Sequence, residues 1–305
     1  MPLVKPITPH LWFDKEAKEA AEFYCSVFPD SQIDYVTRLR NTPSGDCDVV
    51  AFTVQGQPFM AISAGPLFKF NPSVSFFVNF DPSRDPDARA KLDKLWAALG
   101  EGGQALMPLD SYPFSERYGW LQDRYGVSWQ LFLKPSGSEP RPAIVPALMF
   151  TGDAYGKAEA AGAFYRSVFD DSQAGQLVKY PAGMPQDREG TVMFSDFRLG
   201  ETWFVAMDSG HPHGFGFNEA ISFMVTCRDQ AEIDRYWAQL SSVPEAEQCG
   251  WCKDRFGLSW QVTPQLMDEI MEAGDQATID RVTQAFLPMH KLELATIRAA
   301  ASEDV

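Results

Sequence analysis

Cys249 and Cys252 form a Cys-x-x-Cys pair, a spacing that could clamp zinc between two thiolates or cycle between dithiol and disulfide. The stretch reads as a strand, however, where positions three apart face opposite sides of a sheet, and no second Cys or Cys/His pair lies near it. The two are therefore read as incidental. Gly100-Glu101-Gly102-Gly103 is glycine-dense but follows a predicted helix. A phosphate-cradling loop follows a strand and opens a helix, so this one reads as a helix stop. The chain has no Gly-x-Ser-x-Gly elbow, Walker loop or His-Glu-x-x-His, and familiar hydrolase and zincin chemistry is not signalled.

A second constellation is aromatic and amide-bearing. Trp120 and Gln122 share one face of a predicted strand, and Ser128, Gln130 and Phe132 share a face of matching parity on the next. Together they could wall a ligand cleft, and they could equally be core packing, since aromatic rings dominate both. Trp129 and Leu131 then face the core or the opposite layer. Phe68, Phe70 and Asn71 precede a strand and are placed at a cleft rim, and the equivalent later loop carries His211, His213 and Phe215.

These groups are positioned by a repeat. Phe23-Tyr24-x-Ser26-Val27-Phe28-x-Asp30-Ser31-Gln32 recurs at 164–173, and Phe70-Asn71-x-x-x-Ser75-Phe76-x-Val78 recurs at 217–225. Gly119-Trp120-x-x-Asp123-Arg124-x-Gly126-x-Ser128-Trp129-Gln130 recurs at 250–261. The same order with slightly different offsets means the same elements joined by loops of different length.

In the first copy, a short apolar run at Ile7–Phe13 precedes helical spacing over Lys15–Phe28, then β-rich segments near Ile33–Arg40, Cys47–Val54 and Pro58–Ser63. That is a βαβββ unit, and the order recurs from Ser73 to Leu133. The second copy opens strands at Ile144–Phe150 and Ala220–Thr226. The expected division is a first domain at 1–135, a Pro/Gly/Ser-rich linker at 136–143, a second domain at 144–264 and a helical extension at 265–305. The extension repeats apolar residues at helical spacing and reads as a cap on the sheets.

A formal net charge of -15 disfavours nucleic acid and anionic membrane surfaces. No segment approaches the roughly 18–20 apolar residues of a membrane span, and the N-terminus has no basic leader with an apolar region. Five cysteines, an odd number, fit a reducing compartment, so a cytoplasmic location is expected.

Ile7-Thr8-Pro9-His10-Leu11-Trp12-Phe13-Asp14, Ala20-Ala21-Glu22-Phe23-Tyr24, Phe68-Lys69-Phe70-Asn71 and 119–130 resemble the PhnB-like family of the vicinal-oxygen-chelate superfamily, which includes the glyoxalase, bleomycin-resistance and dioxygenase proteins. This family is also labelled 3-demethylubiquinone-9 3-methyltransferase-like. Residues 217–223 and 248–261 carry the same resemblance in the second copy. It implies an α+β fold of tandem domains, each of two βαβββ units whose curved mixed sheets form a cup.

It also implies a divalent metal in some relatives, held by His, Gln or Glu on the first and last strands. In the first copy those places fall on His10 and Gln130, a thin set for a divalent ion. In the second they fall on Met149 and Gln261, with Glu219 just ahead of a strand. Candidate ligand-binding residues are His10, Trp12, Phe68, Phe70, Asn71, Trp120, Gln122, Gln130, Trp251 and Gln261, and no catalytic residue is assigned.

Three functions are weighed in order: a metal-independent small-molecule binding protein; an isomerase, lyase or dioxygenase using a divalent metal at His10 and Gln130; and a methyltransferase. No cofactor is expected under the first and a divalent metal under the second. The two copies are expected to pack as an internal pseudo-dimer, leaving a monomer or homodimer in solution.

Overall fold

The computed structural model describes residues 3 and 5–302, so positions 1, 2, 4 and 303–305 of the expected terminal segments lie outside the described residues. The first copy contains β1 (Thr8–Phe13), α1 (Ala17–Val27), β2 (Gln32–Thr42), β3 (Gly45–Val54), β4 (Gln57–Ser63), β5 (Val74–Phe80), α2 (Ala88–Gly100), β6 (Gln104–Tyr112), β7 (Ser115–Gln122) and β8 (Ser128–Leu133). The second contains β9 (Ile144–Phe150), α3 (Ala158–Val168), β10 (Ser172–Lys179), β11 (Val192–Leu199), β12 (Thr202–Asp208), β13 (Ile221–Cys227), α4 (Gln230–Leu240), β14 (Trp251–Lys253) and β15 (Ser259–Pro264). Helices α5 (Gln265–Ala273), α6 (Gln276–Phe286) and α7 (Leu294–Ser302) follow.

Three units are βαβββ. The fourth, from β13, is shorter: a single 3-10 turn at Pro244–Ala246 stands between α4 and β14, where the first copy has β6. A proline at the start of that turn cannot donate to a ladder, and Glu245 and Gln248 are exposed.

The sheets are not built within the copies. One seven-stranded sheet runs β14-β15-β13-β1-β4-β3-β2, and one eight-stranded sheet runs β10-β11-β12-β9-β5-β8-β7-β6. Each joins one unit of the first copy to one unit of the second, through antiparallel β1–β13 and β5–β9 seams. We call them sheet A and sheet B. The seams are strapped symmetrically: Asn71 donates to the Gly216 carbonyl at 3.1 Å, and Asn218 donates to the Lys69 carbonyl at 2.8 Å.

Alternation along the strands decides the layers. Leu11 and Phe13 on β1, Phe59 on β4, Phe76 on β5 and Trp129 on β8 turn to one side, where α1 to α4 also pack. Phe52, Phe59, Phe76 and Trp129 form a chain of rings 5.1–5.3 Å apart, which ties the first unit to the second across the core. The conserved spacing of the repeat has its main use here. The Asp123 carboxylate accepts from Tyr24 at 2.8 Å, from the Trp129 indole at 2.9 Å, and from the amides of Tyr125 and Val127. Asp254 does the same with Tyr165, Trp260, Phe256 and Leu258. Gly126 and Gly257, at φ of +90° and +89°, permit the tight turn that folds each Asp back on these amides.

The opposite faces form two cups, and only one is roofed. Ile270 and Met271 of α5, with Ile279, Val282 and Phe286 of α6, are buried in one cluster with Leu39, Val49, Met60 and Met224 of sheet A. The helical extension thus caps sheet A. Its amphipathic stripe has a partner because β2, β3 and β4 present apolar residues on that face.

Candidate cavity of the roofed cup

Thr8, His10 and Trp12 leave β1 on the cup side. His10 faces Met60 across the parallel β1–β4 pair and Ser222 across β1–β13. On β13 and β15 the matching face carries Met224 and Gln261, which pair directly, and Trp251 pairs with Gln261 from β14. Under α5 and α6 these side chains enclose a cavity of about 650 Å³. Trp12, Phe68 and Trp251 line it from β1, from the loop before β5 and from β14, and Met267, Met271 and Phe286 line it from α5 and α6.

Among the described residues, five buried side-chain polar atoms have no hydrogen-bond partner, and three of them belong to residues lining this cavity: His10 Nδ1, the Tyr35 hydroxyl and Thr263 Oγ1. These atoms are closed off behind the lining side chains, and an unmet buried polar group costs about 1–3 kcal/mol. Burial pushes the His10 imidazole down to about 3, so it is neutral at physiological pH. Burial and the nearby Asp268 and Glu272 hold the Tyr35 phenol well above its ordinary value, and it too stays neutral.

Sheet B gives the opposite picture at the equivalent positions. Gln130 and Ser75 repeat the pair formed by Gln261 and Ser222, with amide-to-hydroxyl bonds of 2.8 and 2.9 Å. Cys249 is replaced by Tyr118, whose hydroxyl donates to the Gln130 amide oxygen at 2.5 Å. The Trp120 indole donates to Ser128 at 2.7 Å, and Gln122 donates to the Gly126 carbonyl. Phe77, Tyr118, Val145, Ala147 and Val205 are buried together, with Trp120, Phe132 and Trp203 against them. The Arg141 guanidinium lies 3.8 Å over Trp203. In cup B these side chains pack on one another, with Trp120, Phe132 and Trp203 partly buried.

Several sequence expectations change accordingly. His10 and Gln130 lie in different sheets and face different cups, so they cannot share an ion; the amide facing the His10 cavity is Gln261. The place of His10 in the second copy is taken by Ala147, which pairs with Val205 and Ser75, whereas Met149 takes the place of Trp12. Phe70 packs on Phe13 at 4.9 Å and Asn71 serves the strap, so neither faces the cavity, unlike Phe68. Trp120, Gln122, Ser128, Gln130 and Phe132 do share one face, as their parity implies, with Trp129 and Leu131 in the core. Glu219 lines the His10 cavity and is paired with Lys253 at 2.6 Å. His213 bonds to Ser209 at 2.8 Å on a loop away from the cavity. Cys249 and Cys252 are free thiols that pack in different apolar clusters.

Sequence reading missed Tyr35, Met60, Met224 and Thr263. Their signal was strand parity, which becomes informative only once the neighbouring strand is known.

The donor set does not suit a divalent ion. Around His10 stand two thioethers and a neutral amide, Met60, Met224 and Gln261, and among the described residues no group of three or more His, Cys, Asp or Glu could hold a metal. Hard divalent ions favour carboxylate and imidazole donors filling several positions.

Curved mixed sheets built from repeated βαβββ units, the last of them shortened, define a protein of the vicinal-oxygen-chelate class. A family profile described as 3-demethylubiquinone-9 3-methyltransferase matches residues 5–132 and again 142–263, and the chain belongs to that family. No curated protein matches the chain. Among solved structures, a PhnB protein from Bacillus cereus, described with the same methyltransferase name, is 39% identical over 42% of this chain and 99% of its own, with a TM-score of 0.37. A Staphylococcus aureus protein is 31% identical over 43% of this chain and 98% of its own, with a TM-score of 0.18. Glyoxalase I from Zea mays shares the fold, with a TM-score of 0.51 and 10% identity over 88% of this chain and 97% of its own. No helix among the described residues is long and apolar enough to cross a membrane.

Proposed function

We propose that the chain is a small-molecule binding protein with one working site, the cavity of cup A, which takes a mainly apolar or aromatic guest without a tightly bound metal. The observation that carries this is a cavity of about 650 Å³ under α5 and α6, lined mainly by apolar and aromatic side chains with a few polar residues, His10, Tyr35, Gln261 and Thr263, among them. A volume in this range and an apolar lining with a few placed polar groups are typical of ligand sites. The soft, neutral donor set around His10 supports the metal-independent reading over a metal-dependent isomerase, lyase or dioxygenase.

A thermal-shift screen of small apolar molecules tests the proposal. Hits are expected to raise the Tm of the wild-type protein but not of Met224→Trp, whose indole would occupy the cavity. A hit that stabilised both equally would bind elsewhere and would remove the support for this site.

A further inference from the structure

The wall of cup A nearest β1 is an aromatic box. The Trp12 ring stands at 80° to Phe68 with centroids 5.2 Å apart, and at 78° to Trp251 with centroids 5.9 Å apart. The Trp251 ring is in turn at 87° to His10, at 5.2 Å. Trp12 is locked by its indole bond to the Gly65 carbonyl at 2.8 Å. Edge-to-face packing is a favourable contact that holds the rings in place, and rings turned at right angles can offer electron-rich faces to one guest, as aromatic cages do for methylated ammonium groups.

The charge of the lining is one-sided. Glu219, Glu245, Glu247 and Asp268 line this cavity, and no Lys or Arg does. Lys253 pairs with Glu219 and Lys5 with Asp268, each at 2.6 Å, and Glu247 is bonded by Ser241 and faces His290 at 3.4 Å. None of these partner groups lines the cavity, so a guest inside it meets carboxylates and neutral rings. An anion entering would lose its hydration with no cation in the lining to receive it, whereas a cation meets the ring faces, the paired carboxylates adding little net charge. The His10 ring, 5% exposed and packed on Trp251, extends this aromatic wall.

We infer that the guest of cup A carries a tertiary or quaternary ammonium group on an apolar body, the methylated nitrogen seated among Trp12, Phe68 and Trp251 and the body lying under α5 and α6. This rests on cup A being the ligand site. Cation–π contacts with desolvated rings are strong enough to separate a charged guest from a neutral one of the same shape by at least about tenfold.

The test compares benzyltrimethylammonium with its uncharged isostere neopentylbenzene and with the anion 3-phenylpropanoate, each titrated against wild-type protein by calorimetry. The expected result is binding of the ammonium at least tenfold tighter than the isostere, with the anion weakest. Trp251→Leu should remove most of that difference by weakening the ammonium while leaving the isostere within about twofold, which also shows that the variant is folded. Glu219→Gln should weaken the ammonium alone. Equal binding of ammonium and isostere in cup A would overturn the charge inference and leave the ligand site standing. Binding of neither, with no hit in the thermal-shift screen, would overturn both.

Discussion

Tyr118 donates a 2.5 Å hydrogen bond to the amide oxygen of Gln130, a contact that cup B has and cup A lacks. At the corresponding place beside Gln261 the chain has Cys249, a far smaller side chain whose thiol turns to the Leu287 carbonyl at 3.2 Å. Tyr118→Ala should open cup B. Truncating a buried aromatic costs about 3–5 kcal/mol, so the variant is expected to melt earlier but to bind a second equivalent of an apolar fluorophore such as 1-N-phenylnaphthylamine. A destabilised variant that gained no fluorophore site would mean that the remaining rings collapse into the space.

The duplicated carboxylates give a prediction about stability alone. Tyr24→Phe and Tyr165→Phe each remove one donor from a buried Asp, at a cost of about 1–3 kcal/mol in chemical denaturation. The two hydroxyls share no partner, so the costs should add to within about 0.5 kcal/mol in the double variant. Clear non-additivity would show that the copies communicate through the core.

Much of this frame was legible beforehand. Periodicity and turn residues placed β9 at the residues observed, and Asp123 and Trp129 were marked by recurrence, although their use as a core staple emerged only with the fold. Pairing across the copies was not legible, because alternation tells which face a residue takes and not which strand lies beside it. For that reason His10 was matched with Gln130 of its own copy and not with Gln261 of the other. Ala147 was missed as its counterpart, although Pro9 and Pro146 fix the alignment.

His10 makes folding sensitive to acid. Its buried imidazole is pushed down to about 3 from an ordinary value of 6.5, so between these values the unfolded chain holds a proton that the folded chain does not. Stability from this group is complete above pH 6.5 and falls as pH drops toward 3, by up to about 1.4 kcal/mol per pH unit. Urea denaturation at pH 6.5 and 5.0 should therefore show the wild type losing roughly 2 kcal/mol more than His10→Gln. Identical pH slopes would mean that His10 is solvated in the folded state.

Cys249 offers a chemical reporter. It lines cup A, whereas Cys25 is half-buried on α1 away from it, and burial raises both thiols above their ordinary value. A guest in cup A should slow alkylation of Cys249 several-fold and leave Cys25 unchanged, read by mass spectrometry of labelled peptides. Equal protection of both thiols would point to a global effect on opening.

The stoichiometry of 1-N-phenylnaphthylamine binding tests the central claim most directly, because it counts the cups that accept a guest. The expected result is one equivalent per wild-type chain and none for Met224→Trp. Two equivalents per wild-type chain, or one retained by Met224→Trp, would contradict a single working site in cup A.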